Sequence, residues 1–133
     1  MKKLIGIPWK YGGYNFDGCD CFGLALLAQG ELYGRKTPFK KEWFEYSPDL
    51  FKEHCRETFK DFSKHLIFLP GPEPGCILGF RLGGDVHAAT FLGGDKILHI
   101  FENRTSRVAR LTPTLQRCLF ASVFLKGGEG KWV

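Results

Sequence analysis

Asp17-Gly18-Cys19-Asp20-Cys21-Phe22-Gly23-Leu24 lies at the centre of a stretch from Gly6 to Tyr33, and its reading decides that of the whole chain. A turn-forming, glycine-rich segment (Gly12-Gly13, then Asp17-Gly18) runs into Asp20. Behind it stand Leu24, Ala25, Leu26, Leu27 and Ala28, which suit a buried helix. Asp is a strong N-cap because its carboxylate accepts from N–H groups that the first helical turn leaves unpaired. The pattern predicts Asp20 as the cap, Cys21 in the first turn, and a helix to Tyr33 stopped by Gly34. A thiol in that turn meets unpaired donors and the positive end of the helix dipole, which favour thiolate and suit a nucleophile. The alternative is a cysteine that packs only as a small hydrophobe.

Downstream, residues 35 to 69 are aromatic and charged. Phe51, Cys55, Phe59 and Phe62 recur at helical spacing, predicting an amphipathic helix from Pro48 to His65. Pro70-Gly71-Pro72-Glu73-Pro74-Gly75 breaks it and divides a helical half from a strand half. Short apolar runs follow at Cys76–Phe80, Val86–Leu92, Lys96–Phe101, Arg107–Leu111 and Leu119–Leu125. Gly83-Gly84-Asp85 and Gly93-Gly94-Asp95 are tight-turn signals between the first three, which predicts an antiparallel meander. The tail from Gly127 to Val133 is expected to be loose. Helices first and strands second make this one α+β domain over 1–133: loop and first helix (1–34), helical insertion (35–69), and a sheet of about five strands (75–126).

The chain has 133 residues, 44% hydrophobic and 25% charged, the balance of a single globular domain. Its net charge of +5 is spread, with small concentrations at Lys2-Lys3, Lys40-Lys41 and Arg104 to Arg110. A basic balance of this size permits an anionic partner without demanding one, and no nucleic-acid motif accompanies it. Five cysteines, an odd number without framework spacing, predict free thiols made in a reducing compartment. The apolar run after Lys2-Lys3 ends at Pro8-Trp9-Lys10, too short for a signal-peptide core or a membrane span. The expectation is cytoplasmic synthesis without a signal peptide, no membrane partner, and delivery by other means if the target lies outside.

His54 and His65 fall among charged residues and read as surface groups. His87 and His99 lie on consecutive predicted strands, and the Gly93-Gly94 turn between them pairs the two almost opposite each other. Such a pair lets one imidazole act as base while the other fixes its tautomer, although two ordinary strand histidines would show the same spacing. With Cys21 they form a candidate thiol–imidazole–imidazole set of papain type, the Cys21 N–H being one oxyanion donor. No cofactor is implied.

The order of these pieces resembles the NlpC/P60 family. Gly6-Ile-Pro-Trp-Lys-Tyr-Gly12-Gly13 followed by Gly18-Cys-Asp20-Cys21-Phe-Gly23-Leu24 is similar to its first segment and nucleophile helix. Pro74-Gly75-Cys76-Ile77-Leu78, His87-Ala-Ala-Thr-Phe-Leu-Gly93 and Ile97-Leu98-His99 are similar to its first strands, base and orienter. Among its branches the chain most resembles short forms from phage and prophage tail clusters. The resemblance implies a papain-like fold and a cysteine peptidase acting on the peptidoglycan stem peptide, with Cys21 as nucleophile, His87 as base and His99 as orienter. It implies other tail proteins as further partners and the virion tail, or another delivery system, as a location.

Two positions depart from the family pattern. Trp9 stands where a tyrosine usually supplies an oxyanion hydroxyl, leaving the indole N–H or Tyr11 to substitute. Phe22 stands where a serine often lies near the substrate amine, a group that Asp20 could also bind. These departures keep open a catalytically weak structural or wall-binding module of the same fold, and a secreted peptidoglycan amidase toxin is a further alternative. A metal site from Cys19, Cys21, His87 and His99 has poor ligand spacing, so no metal is expected. An acyltransferase of the superfamily would generally carry His before Cys.

Overall fold

Asp20 caps the first helix as its sequence predicts. In the computed structural model, which describes residues 1–126, its Oδ1 accepts from the Gly23 N–H at 2.6 Å. Helix α1 (Cys21–Tyr33) then runs to Gly34, whose φ of 62° closes it in the left-handed region. Before it, β1 (Tyr14–Asn15) and β2 (Gly18–Cys19) form a small hairpin that the sequence reading missed. The helix start rests against this segment so closely that a Cβ on Gly23 would overlap the Gly13 carbonyl oxygen. The tail from Gly127 lies outside the described residues.

The amphipathic segment of the insertion becomes α2 (Phe51–Phe62), with 3-10 turns at Pro48–Leu50 and Ser63–His65 in place of one longer helix. It leads directly into β3 (Leu66–Phe68), a strand too short to show its own period. Then come β4 (Ile77–Leu82), β5 (Asp85–Gly93), β6 (Lys96–His99), β7 (Arg107–Arg110), a short α3 (Pro113–Cys118) and β8 (Leu119–Leu125). Strands β4 to β7 form the expected meander. The whole sheet, however, has six antiparallel strands in the order β3-β8-β4-β5-β6-β7. Strand β8 returns to lie between β3 and β4.

Successive strand residues point to opposite faces, and both faces are covered. On one side Leu98 and Ile100 pack with Leu24 and Ala28 of α1, while Ile77 and Val123 pack with Ala25, Leu26, Trp43 and Phe62. On the other, Leu78, Phe80, Ala89, Phe91 and Ile97 meet Leu111, with Leu115 and Cys118 of α3 against them. Each large apolar side chain removed from water contributes roughly 1.5–3 kcal/mol before chain entropy is counted. The insertion thus belongs to the core: it is a wall of the domain, clamped to the start of α1.

Candidate active site

Cys21 opens α1 and is buried. Backbone N–H groups of Phe22 and Ala88 are directed at its sulfur, so the nucleophile candidate touches β5 one residue beyond His87. His87 and His99 are also buried, with His87 Nε2 2.9 Å from His99 Nδ1. The register differs from the simple hairpin count: Thr90 pairs with Leu98 and Phe91 with Ile97, but Gly93 pairs with Lys96, so the ladder slips near the turn. The rings still meet because the side chains lean along the strands. Phe101 stacks on His87 at 4.7 Å and crosses His99 edge-on, a cover that the sequence reading did not identify.

Among the described residues no hydrogen bond joins Cys21 to His87. Ala88 packs toward α1, whereas His87 lies across the ladder from Phe80 on the opposite face. For His87 to accept a proton at Nδ1, its Nε2–H must donate to His99 Nδ1. His99 then carries its own proton at Nε2, a buried nitrogen without a partner.

The expected acidic thiol is not found. Burial pushes Cys21 up to about 12, with the nearby Asp20 charge adding to it, and the two directed N–H groups do not offset them. Burial also lowers the pKa of both histidines. The resting protein therefore holds a neutral thiol on one face of β5 and neutral imidazoles on the other.

The remaining sequence candidates divide. Trp9 Nε1 is buried and without a hydrogen-bond partner, as an unused donor would be. The Tyr11 hydroxyl donates to Glu102, so Tyr11 is engaged elsewhere. Asp20 has both oxygens occupied, Oδ1 by Gly23 and Oδ2 by the Tyr46 hydroxyl at 2.8 Å, and the same hydroxyl accepts from the Gly12 N–H. Each oxygen is thus already held by a partner within the fold. Phe22 is a packing residue: its ring lies 4.3 Å from Phe62 and 5.7 Å from Phe44, anchoring the insertion. Cys19 turns away, its thiol donating to the Asn15 carbonyl. His54 is not a simple surface group, since its Nε2 meets the Trp43 carbonyl at 2.8 Å and its ring stacks on Tyr46. Tyr46 itself had no local signal; only its reach back to Asp20 reveals its role.

No family model matches the sequence, and no curated protein matches it. Solved structures do. The NlpC/P60 domain of the peptidoglycan hydrolase SagA aligns over 93% of this chain and 92% of its own, with a TM-score of 0.57 and 20% identity. An NlpC/P60 family protein from Bacillus cereus ATCC 10987 aligns over 91% of this chain with a TM-score of 0.60 and 16% identity. The chain has the NlpC/P60 fold. It spans 92% of the SagA domain but 36% of the Bacillus protein.

On this NlpC/P60 scaffold the insertion closes over Cys21. Between α2, the start of α1 and the sheet lies a cavity of about 90 Å³ with Cys21 and Ala88 in its wall. Phe51, Cys55, Thr58, Phe59 and Phe62 face it from α2, and Ile77, Val86 and Val123 from the sheet. Its exposed wall is almost entirely carbon.

Proposed function

We propose that this protein is a cysteine hydrolase of bacterial cell-wall peptidoglycan, cutting a peptide bond of the stem peptide. The observation that carries this reading is the 2.9 Å pairing of His87 with His99 on the strand whose next N–H meets Cys21. The SagA domain, described as part of a peptidoglycan hydrolase, supports the choice of substrate. Cys21 gives its proton to His87 Nδ1 as Sγ attacks the carbonyl carbon. The oxyanion is met by the Cys21 N–H and the unpartnered Trp9 indole N–H. As the C–N bond breaks, His87 returns the proton to the leaving amine and a thioester remains. Water then attacks that thioester, His87 takes its proton, and the freed carboxyl leaves a restored thiol. His99 holds the His87 ring in the required tautomer throughout.

His87 lies on the face of β5 opposite the one that meets Cys21, so the proton transfer requires the β5 segment around His87 to turn toward the start of α1, and that rearrangement is part of the proposal. Phage or prophage tail attachment is the proposed setting, with other tail proteins as partners. Purified protein incubated with intact and pre-digested peptidoglycan, with Cys21→Ala as control, tests the reading by mass analysis of released fragments. New peptide fragments absent from the control are expected. No fragments, together with a Cys21 thiol that mild alkylation never reaches, would sink the reading. The buried, proton-retaining thiol favours a second reading, a structural or wall-binding tail module of the same fold.

A further inference from the structure

We infer that the cavity beside Cys21 seats a small, uncharged apolar group of the substrate next to the bond under attack, and that α2 sets this preference. The inference rests on Cys21 being the nucleophile of the hydrolase proposed above. Its grounds are the position of the thiol in the cavity wall and the absence of any free charged partner there.

About 90 Å³ corresponds to roughly three water volumes, enough for a side chain of a few carbons and too little for a folded peptide segment. The ionisable and ring polar groups of the wall other than the thiols are already committed, and Thr58 adds one neutral hydroxyl. Asp20 has both oxygens bonded, Tyr46 is held between Asp20 and Gly12, and His54 is fixed on the Trp43 carbonyl. No lysine or arginine lines the space. A carboxylate or ammonium placed there would lose water without gaining a charged partner, whereas an alkyl group would gain contact with the carbon of the wall. The determinants are Phe51, Cys55, Thr58 and Phe59 of α2 facing Val86 and Ala88 of β5. The insertion therefore supplies the selective half of the cavity.

The test uses thiol-exchange reagents that differ only in the group delivered: propyl methanethiosulfonate, its anionic sulfonatoethyl analogue and its cationic trimethylammonioethyl analogue. In each, the Cys21 sulfur attacks the sulfenyl sulfur, a disulfide forms, methanesulfinate leaves and the thiol proton goes to solvent. Labelling rates at Cys21 are read by peptide mass mapping. The expected result is that propyl transfer exceeds both charged transfers by about tenfold or more. In Thr58→Arg the anionic reagent should gain about tenfold relative to propyl, because a cation now faces the cavity. Equal rates for the three reagents in the native protein would overturn the inference, as would an unchanged ratio in Thr58→Arg. Should that variant fail to fold, as judged by circular dichroism, Thr58→Lys provides the same reversal, and Thr58→Leu should slow propyl transfer by filling the space. Rapid transfer of the cationic reagent would instead mark Asp20 as an amine-binding group and also overturn the inference. If the propyl preference is found but no wall fragments are released, the hydrolase reading falls while the selectivity of the cavity stands.

Discussion

Asp20 accepts from the Gly23 N–H and the Tyr46 hydroxyl, yet burial outweighs both bonds and raises its carboxyl from 3.8 to about 6. Between those values the unfolded chain is ionised while the folded one retains its proton, so this group lowers stability as pH rises from about 4 to about 6. The full shift corresponds to roughly 3 kcal/mol. Asp20→Asn keeps an N-capping oxygen and cannot ionise, so its stability relative to the native protein should rise by roughly that amount between pH 4 and 7. Chemical denaturation across that range checks it, and a flat difference would show that Asp20 titrates normally. His87 and His99 act in the opposite direction. Burial lowers both, so the unfolded chain gains protons first and stability is lost as pH falls below about 6.5. His99→Leu should weaken that acid loss, measured in the same experiment. At this scale Asp20, Cys21 and the histidine pair were legible because capping and hairpin spacing are local. Phe22 and Tyr46 were not, since their roles depend on partners more than 20 residues away.

The insertion shows what periodicity reveals and what it leaves open. The spacing of Phe51, Cys55, Phe59 and Phe62 gave the helix and its inner face, but periodicity names no partner for that face. Its partner is the helix that Cys21 opens, through the Phe22–Phe62 ring contact at 4.3 Å. Strand β3 escaped notice because three residues directly after a helix carry no alternation to read. Phe62→Ala should destabilise by about 3–5 kcal/mol, read from the denaturation midpoint at constant slope. Tyr46→Phe strands the Gly12 N–H and one Asp20 oxygen, at a cost of about 1–3 kcal/mol. By loosening the cover it should also speed alkylation of Cys21. In contrast, the exposed Lys40–Asp61 pair at 2.8 Å should matter little, and Lys40→Ala should leave the denaturation midpoint nearly unchanged.

Across the whole molecule, the closed cover implies a thiol whose reactivity follows hydroxide. With Cys21 held up to about 12, its alkylation by iodoacetamide should rise about tenfold per pH unit through pH 9 without a plateau. A plateau near pH 7 would reveal a preformed thiolate–imidazolium pair and an open resting state. The α+β class and the central meander were readable from the sequence because hairpin strands are neighbours. The place of β8 was not, because its pairing with both β3 and β4 reaches back past β5, β6 and β7. That placement fixes a timetable. On the ribosome, the start of α1 emerges about a hundred residues before the strand that joins the two halves of the sheet. Until residues 119–125 arrive, β3 and β4 each lack a neighbour, and the wall formed by Trp43, Phe62 and Val123 cannot close. A nascent chain stalled before Leu119 should therefore be protease-sensitive and inactive, whereas one extended past Leu125 should resist digestion. The wall beside Cys21 is completed only once Leu125 has been made.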